Sequence, residues 1–291
     1  MNFNNKQKNI NNKKIIFIAS YPKSGNTWLR SIIASLLYKP DGKFNFLDIK
    51  KISLLSQFRN FKNIKGYKLT EEKNLDFNWT SQNWILAQER INYTNKDIKF
   101  YKTHCVRGIV NNNFFTDESV CLGFIYIVRD PRDVVVSLSK HMGIDKDLAI
   151  NEMLYNQRRM ALFDKVYELV STWKDNINSW MMFKNVPRLI IKYEDMINNI
   201  DSSILQIANF INNISSLNIK TDKNFLDSVI QSTNFNKLQK MEDQQKFDEA
   251  TSHSRFFRKG IAGGWKKELT RAQAELIEKE LNIPLKKLGY L

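Results

Sequence analysis

Four stretches of this chain carry side chains whose types and spacing could do chemistry. The first is Ser20-Tyr21-Pro22-Lys23-Ser24-Gly25-Asn26-Thr27, a polar turn between an apolar run and helically spaced residues. Successive backbone N–H groups of such a turn, with the positive end of the following helix, form an anion site. Lys23 adds a full charge, Ser24 and Thr27 add hydroxyls, and Gly25 lets the backbone come close. A phosphate or sulfate fits that chemistry. Lys precedes Gly here, so the G-x-x-x-x-G-K-[ST] loop of mononucleotide sites is not matched.

The second stretch is Tyr101-Lys102-Thr103-His104. In extended backbone, residues i and i+2 share a face, so Lys102 and His104 point the same way. Cys105 points the other way, which argues against a Cys–His nucleophilic pair. Imidazole is the side chain suited to move protons near neutral pH. Of the three histidines, His104, His141 and His253, His104 is the one that ends a strand near the anion loop. In the third stretch, Arg129 follows Gly123-Phe124-Ile125-Tyr126-Ile127-Val128, at the strand end where open α/β sheets bind ligands. Ser137 lies seven residues past Asp130, on the same helical face. An arginine fork and a hydroxyl together can hold a second phosphate; the competing reading pairs Arg129 with Asp133. The fourth stretch, Arg258-Lys259-Gly260-Ile261-Ala262-Gly263-Gly264-Trp265-Lys266, reads by itself as a solvated basic loop.

Together these stretches resemble the cytosolic-type sulfotransferases that use 3′-phosphoadenosine-5′-phosphosulfate (PAPS), with a bacterial-like member as the nearest kind. Tyr21 to Trp28 is similar to the family's 5′-phosphosulfate loop, with Asn26 where Thr is usual. Tyr126 to Ser137 is similar to its 3′-phosphate motif, and Arg258 to Lys266 to its C-terminal R-K-G-x-x-G-[DN]-W-K signature, with Gly264 where Asp is common. Lys192-Tyr193-Glu194-Asp195 and Ser232-Thr233-Asn234-Phe235 resemble segments that border the adenine. The resemblance covers about residues 15 to 275. It implies that Lys23, Ser24, Gly25, Asn26, Thr27 and Trp28 hold the donor's sulfated end. Arg129, Ser137, Arg258, Lys259 and Gly260 would hold the 3′-phosphate. Tyr193, Thr233, Phe235 and Trp28 would border or sandwich the base. His104 would be the general base, with Lys23 and Lys102 neutralising developing charge. The product would be 3′,5′-bisphosphoadenosine (PAP). The family's K-x-x-x-T-V-x-x-x-E dimer element is matched at Lys266, Thr270 and Glu275, but Arg271 replaces Val, so a monomer or weak homodimer is expected.

The elements that must position these groups alternate. Ile15-Ile16-Phe17-Ile18-Ala19 reads as a strand buried on both faces, followed by a helix carrying Trp28, Leu29, Ile32, Ile33 and Leu36. Further strands are expected at 98–102, 123–128 and 189–192. Helices are expected after Asp130-Pro131, a good N-cap and first helical position, and over 147–162, 165–183, much of 194–242, and 270–281. Residues 38–95 read as irregular helices and loops. Alternating strands and helices argue a P-loop-like parallel sheet of four to five strands with helices on both faces. One domain is expected over 15–291, after a disordered Asn/Lys-rich lead-in at 1–14.

Lys and Arg total 45 against 30 Asp and Glu, a formal +15. That excess is compatible with an anionic partner, or with Lys scattered among Asn and Ile as a compositional bias. Two cysteines exclude a disulfide scaffold and fit a reducing cytoplasm. No apolar run reaches the roughly 20 residues that span a bilayer, and the N-terminus lacks the apolar core of a secretory signal. No metal-ligand spacing is found, so no metal is expected. The rival classes are a P-loop nucleotide kinase, which needs an Mg²⁺ carboxylate where Arg129 stands, and a basic nucleic-acid binder, for which no motif is present. The partner expected is a small hydroxyl or amine acceptor, with neither nucleic acid nor membrane involved. Its pocket falls to 38–95, 140–165 and 240–257.

Overall fold

The computed structural model describes residues 13–95, 97–156, 166–244 and 257–291, and the main chain of 159–162. Most of the expected N-terminal lead-in, residues 1–12, and His253 lie outside the described residues.

Among the described residues nine strands occur, β1 (Ile15–Ala19), β2 (Ser53–Leu54), β3 (Lys99–Thr103), β4 (Ile109–Val110), β5 (Asn113–Phe114), β6 (Cys121–Val128), β7 (Arg159–Leu162), β8 (Val166–Leu169) and β9 (Arg188–Lys192). Five of them form one parallel sheet in the order β2-β3-β1-β6-β9. β1 is central and every residue of it is buried. Its alternation serves two cores. Ile15, Phe17 and Ala19 pack on one face with Trp84, Val134, Trp173 and Trp180. Ile16 and Ile18 pack on the other with Leu29, Ile32, Ile207 and Val229. Burying each Ile or Phe stabilises the fold by about 1.5–3 kcal/mol, which fixes the register of the strand that carries the loop. Parallel strands buried on both faces put their carboxyl ends, and all four chemical stretches, at one end of the sheet.

The structure corrects two expected helices. The one expected over 147–162 ends at Leu154, and the one expected over 165–183 covers only Trp173–Met181. Between them β7 and β8 pair antiparallel, with Arg159 opposite Leu169 and Leu162 opposite Val166. The strand β8 alternates as strands do, but its inward positions are Val166 and Glu168. A carboxylate facing inward hides the period-2 pattern. Thr172, which accepts from the N–H of Asp175, caps the helix that follows. In 38–95 the expected irregular region holds helices Phe46–Ile49, Phe58–Phe61, Phe77–Gln82 and Trp84–Thr94, plus the edge strand β2.

Candidate active site

The turn after β1 is shaped by two left-handed residues, Lys23 (φ 67°) and Gly25 (φ 98°). A side-chain carbon on Gly25 would lie 2.5 Å from the Tyr193 ring. Only glycine meets both demands. The Asn26–Tyr38 helix starts directly after it, so its N-terminal N–H groups face the turn. Asp130 caps the Pro131–Met142 helix through the N–H of Arg132, as its position before Pro131 predicts.

Arg129, Ser137, Tyr193, Phe235, Arg258, Lys259 and Gly260, from four separate segments, line one cavity with Asp133 and Glu268. Arg129 lies with its guanidinium carbon over Tyr193, 4.3 Å from the ring centre. Its hydrogen bonds go to the carbonyls of Lys23 (3.4 Å) and Ile261 (3.1 Å), so it ties the first loop to the C-terminal basic loop. Asp133 uses its two oxygens on the backbone N–H groups of Gly263 (2.7 Å) and Trp265 (2.8 Å). The hydrogen-bonding partners of Asp133 are therefore in the basic loop, and Arg129 acts on it only as a nearby charge. Burial pushes the Asp133 carboxyl above its ordinary value despite Arg129 and those N–H groups.

Other expected residues sit differently. Asn26 is buried and turned back toward the sheet, its amide donating to the Ile18 carbonyl (3.2 Å) and to Ser20 Oγ (3.1 Å). Trp28 donates its indole N–H to the Thr233 carbonyl (2.9 Å) and meets Tyr193 edge-on. The Thr233 hydroxyl bonds within its own helix. The rings on the cavity wall are Tyr193 and Phe235, and Trp28 is not among its lining residues.

At the end of β3, Lys102 is 4% and His104 7% exposed. His104 Nδ1 lies 2.8 Å from the Ser20 carbonyl and 3.1 Å from Ser20 Oγ. A carbonyl only accepts, so in the neutral ring Nδ1 carries the proton and Nε2 the lone pair. The main chain of the same residue is held from both sides. Its N–H donates to Glu168 Oε2 (3.1 Å), and its carbonyl accepts from Asn176 Nδ2 (2.9 Å). Glu168 also accepts from the Thr103 hydroxyl (2.8 Å). Burial pushes the Glu168 carboxyl up, while Thr103, His104 and the Lys102 charge pull the other way. Burial also pushes the Cys105 thiol well up, keeping it from thiolate chemistry. Ser20, Asp133, Glu168 and Asn176 are supports that sequence reasoning missed. Ser20 had one signal, its place at the mouth of the anion loop. The others depend on contacts between segments far apart in the chain.

Ser24 Oγ and Arg129 Nε are buried and have no hydrogen-bond partner. Both are donors at the rim of a basic cleft, and buried donors of this kind need an acceptor. Anionic oxygens satisfy them.

A parallel sheet with a strand–loop–helix anion site and a basic cleft at its carboxyl end defines a P-loop-like α/β fold. The model of the sulfotransferase domain matches residues 13–289, and the chain belongs to that family. It is accordingly a sulfotransferase. It is 25% identical over 268 residues to a 3-beta-hydroxysteroid sulfotransferase of Cavia porcellus, covering 89% of this chain and 79% of the relative. It is 24% identical over 277 residues to Sulfotransferase 2A1 of Homo sapiens, covering 91% and 81%. Among solved structures, retinol dehydratase in a complex with retinol and PAP shares the fold at TM-score 0.62 and 20% identity, covering 94% of this chain and 81% of that one. Mouse sulfotransferase SULT7A1 complexed with PAP does so at 0.56 and 21%, covering 92% and 84%. No helix among the described residues is long and apolar enough to cross a membrane.

Proposed function

We propose that this enzyme takes its sulfuryl group from PAPS and transfers it to a hydroxyl or amine of a small-molecule acceptor, with His104 as general base. The observation that carries this reading is the 2.8 Å bond from His104 Nδ1 to the Ser20 carbonyl, which leaves the lone pair on Nε2 at the strand end beside the anion loop.

The donor fits the residues present. Ser24, the N–H groups at Gly25–Thr27 and Lys23 would take its 5′ end. Arg129, Ser137, Arg258 and Lys259 would take its 3′-phosphate, and Tyr193 and Phe235 its base. When bound, the donor supplies an activated sulfur–oxygen bond. His104 Nε2 receives the acceptor's proton as the acceptor oxygen or nitrogen bonds to sulfur. The Lys23 ammonium offsets charge gathering on the departing phosphate, and Lys102 the charge of the sulfuryl oxygens. Positioning and fixed charge do most of this work. The related 3-beta-hydroxysteroid sulfotransferase and the retinol complex of retinol dehydratase favour a partly apolar acceptor.

Residues 15–291 act as one sulfotransferase domain. The two cysteines are buried and unbridged, which suits a reducing cytoplasm. Arg271 pairs with Glu275 on an exposed helix start (2.7 Å), and the chain is read as a monomer or weak homodimer. PAP should raise the melting temperature in the absence of Mg²⁺, and ATP should do so poorly. A chain stabilised by ATP–Mg²⁺ and unmoved by PAP would be a phosphotransferase instead.

A further inference from the structure

The cavity wall that gathers Arg129, Arg258 and Lys259 also presents a carboxylate with a use for the same cations. Glu268 Oε1 accepts from Lys259 Nζ at 2.6 Å and lies 3.5 Å from Arg258 Nη1. Its side chain is 17% exposed and lines the cavity. It follows the Gly264–Lys267 turn, whose start is pinned by Asp133, and its own carbonyl is held by the Lys146 ammonium. The two acids on this wall therefore differ. Asp133 is consumed by backbone N–H groups, whereas Glu268 spends its charge on the side chains that the donor site supplies for a phosphate.

We infer that Glu268 is an internal competitor for the 3′-phosphate, seated on Arg258 and Lys259 and displaced when the nucleotide binds. The inference rests on the donor reading proposed above. A dianionic phosphate and a carboxylate cannot share one ammonium and one guanidinium without mutual repulsion, so binding must break the Glu268 contacts or loosen them. Glu268 thus weakens the hold on both donor and product, and it does so through the 3′-phosphate alone. It acts as a residue that sets nucleotide affinity and grades the preference for 3′-phosphorylated over unphosphorylated adenylates.

The test is calorimetric titration of the full chain with PAP, and with adenosine 5′-phosphosulfate, which lacks the 3′-phosphate. A half-exposed ion pair is worth up to about 1 kcal/mol, so Glu268→Gln should bind PAP up to about fivefold tighter than the wild type. Glu268→Ala should move in the same direction, and thermal melts establish that both variants are folded. Affinity for adenosine 5′-phosphosulfate should not change. The gain should be smaller when Glu268→Gln is made in a Lys259→Ala background, where only the Arg258 contact is left to release. Equal or weaker PAP binding by both variants overturns the inference and leaves the donor reading intact, as does an equal gain for both nucleotides. A wild type that binds no PAP overturns the donor reading itself.

Discussion

Glu168 Oε2 accepts the main-chain N–H of His104 at 3.1 Å, so an acid on a hairpin 64 residues away holds the backbone of the proposed base. The other oxygen takes the Thr103 hydroxyl. Glu168 is 1% exposed. Replacing it with Ala strands two buried donors, a loss of about 1–3 kcal/mol for each. Gln can keep both contacts, its Oε1 accepting from His104 and its Nε2 donating to Thr103 Oγ1. Turnover should therefore fall steeply in Glu168→Ala and be largely restored in Glu168→Gln. Equal losses in both variants would show that charge, not the tether, matters.

The same pair of variants predicts a pH trend. Burial raises the Glu168 carboxyl above its ordinary 4.5. A group raised in the folded state contributes stability that is complete below its unfolded value and is lost as pH rises through the folded value. Gln has no such loss. The melting temperature of Glu168→Gln relative to wild type should rise as pH rises above the ordinary carboxyl range. A flat or falling difference in calorimetric scans would contradict this.

Gly25→Ala tests the approach of the loop to Tyr193. A left-handed alanine costs about 1–2 kcal/mol, and its side chain would also press into the Tyr193 ring. The variant should melt at least about 2 °C lower and bind PAP more weakly. Unchanged melting and binding would mean that the loop adapts freely.

Asp133→Ala tests the brace under the basic loop. Two backbone N–H groups lose their acceptor, worth about 1–3 kcal/mol each if they stay buried. PAP affinity should fall, and limited proteolysis should cut near 258–264 faster. Asp133→Asn, which keeps one acceptor oxygen, should lie between. A variant with wild-type affinity would remove Asp133 from the site.

The sheet was legible because β1, β6 and β9 announce themselves as short apolar runs, and the turn after β1 because its residue types match its conformation. The edge strand β2, two residues long, carries no pattern of its own. The β7–β8 hairpin was misread as helix because Glu168 occupies an inward position that the alternation rule assigns to apolar residues. Asn26 was placed among the donor ligands by its position in the loop, yet its amide is drawn back by the Ile18 carbonyl and Ser20. Side-chain direction within a tight turn is set by the strand end beneath it, which sequence spacing does not encode. Asp133 lies one turn from Arg129, so local pairing stood as the competing reading, and its hydrogen-bonding partners are 130 and 132 residues further on.

Transfer of labelled sulfuryl from PAPS to a pool of small hydroxylated and aminated acceptors, measured for wild type and His104→Ala side by side, probes the proposed chemistry most directly. The wild type should label at least one acceptor. The variant should do so about 10²–10⁴-fold more slowly while binding PAP as the wild type does. A His104→Ala enzyme that transfers at the wild-type rate would contradict the assignment of that imidazole as the base.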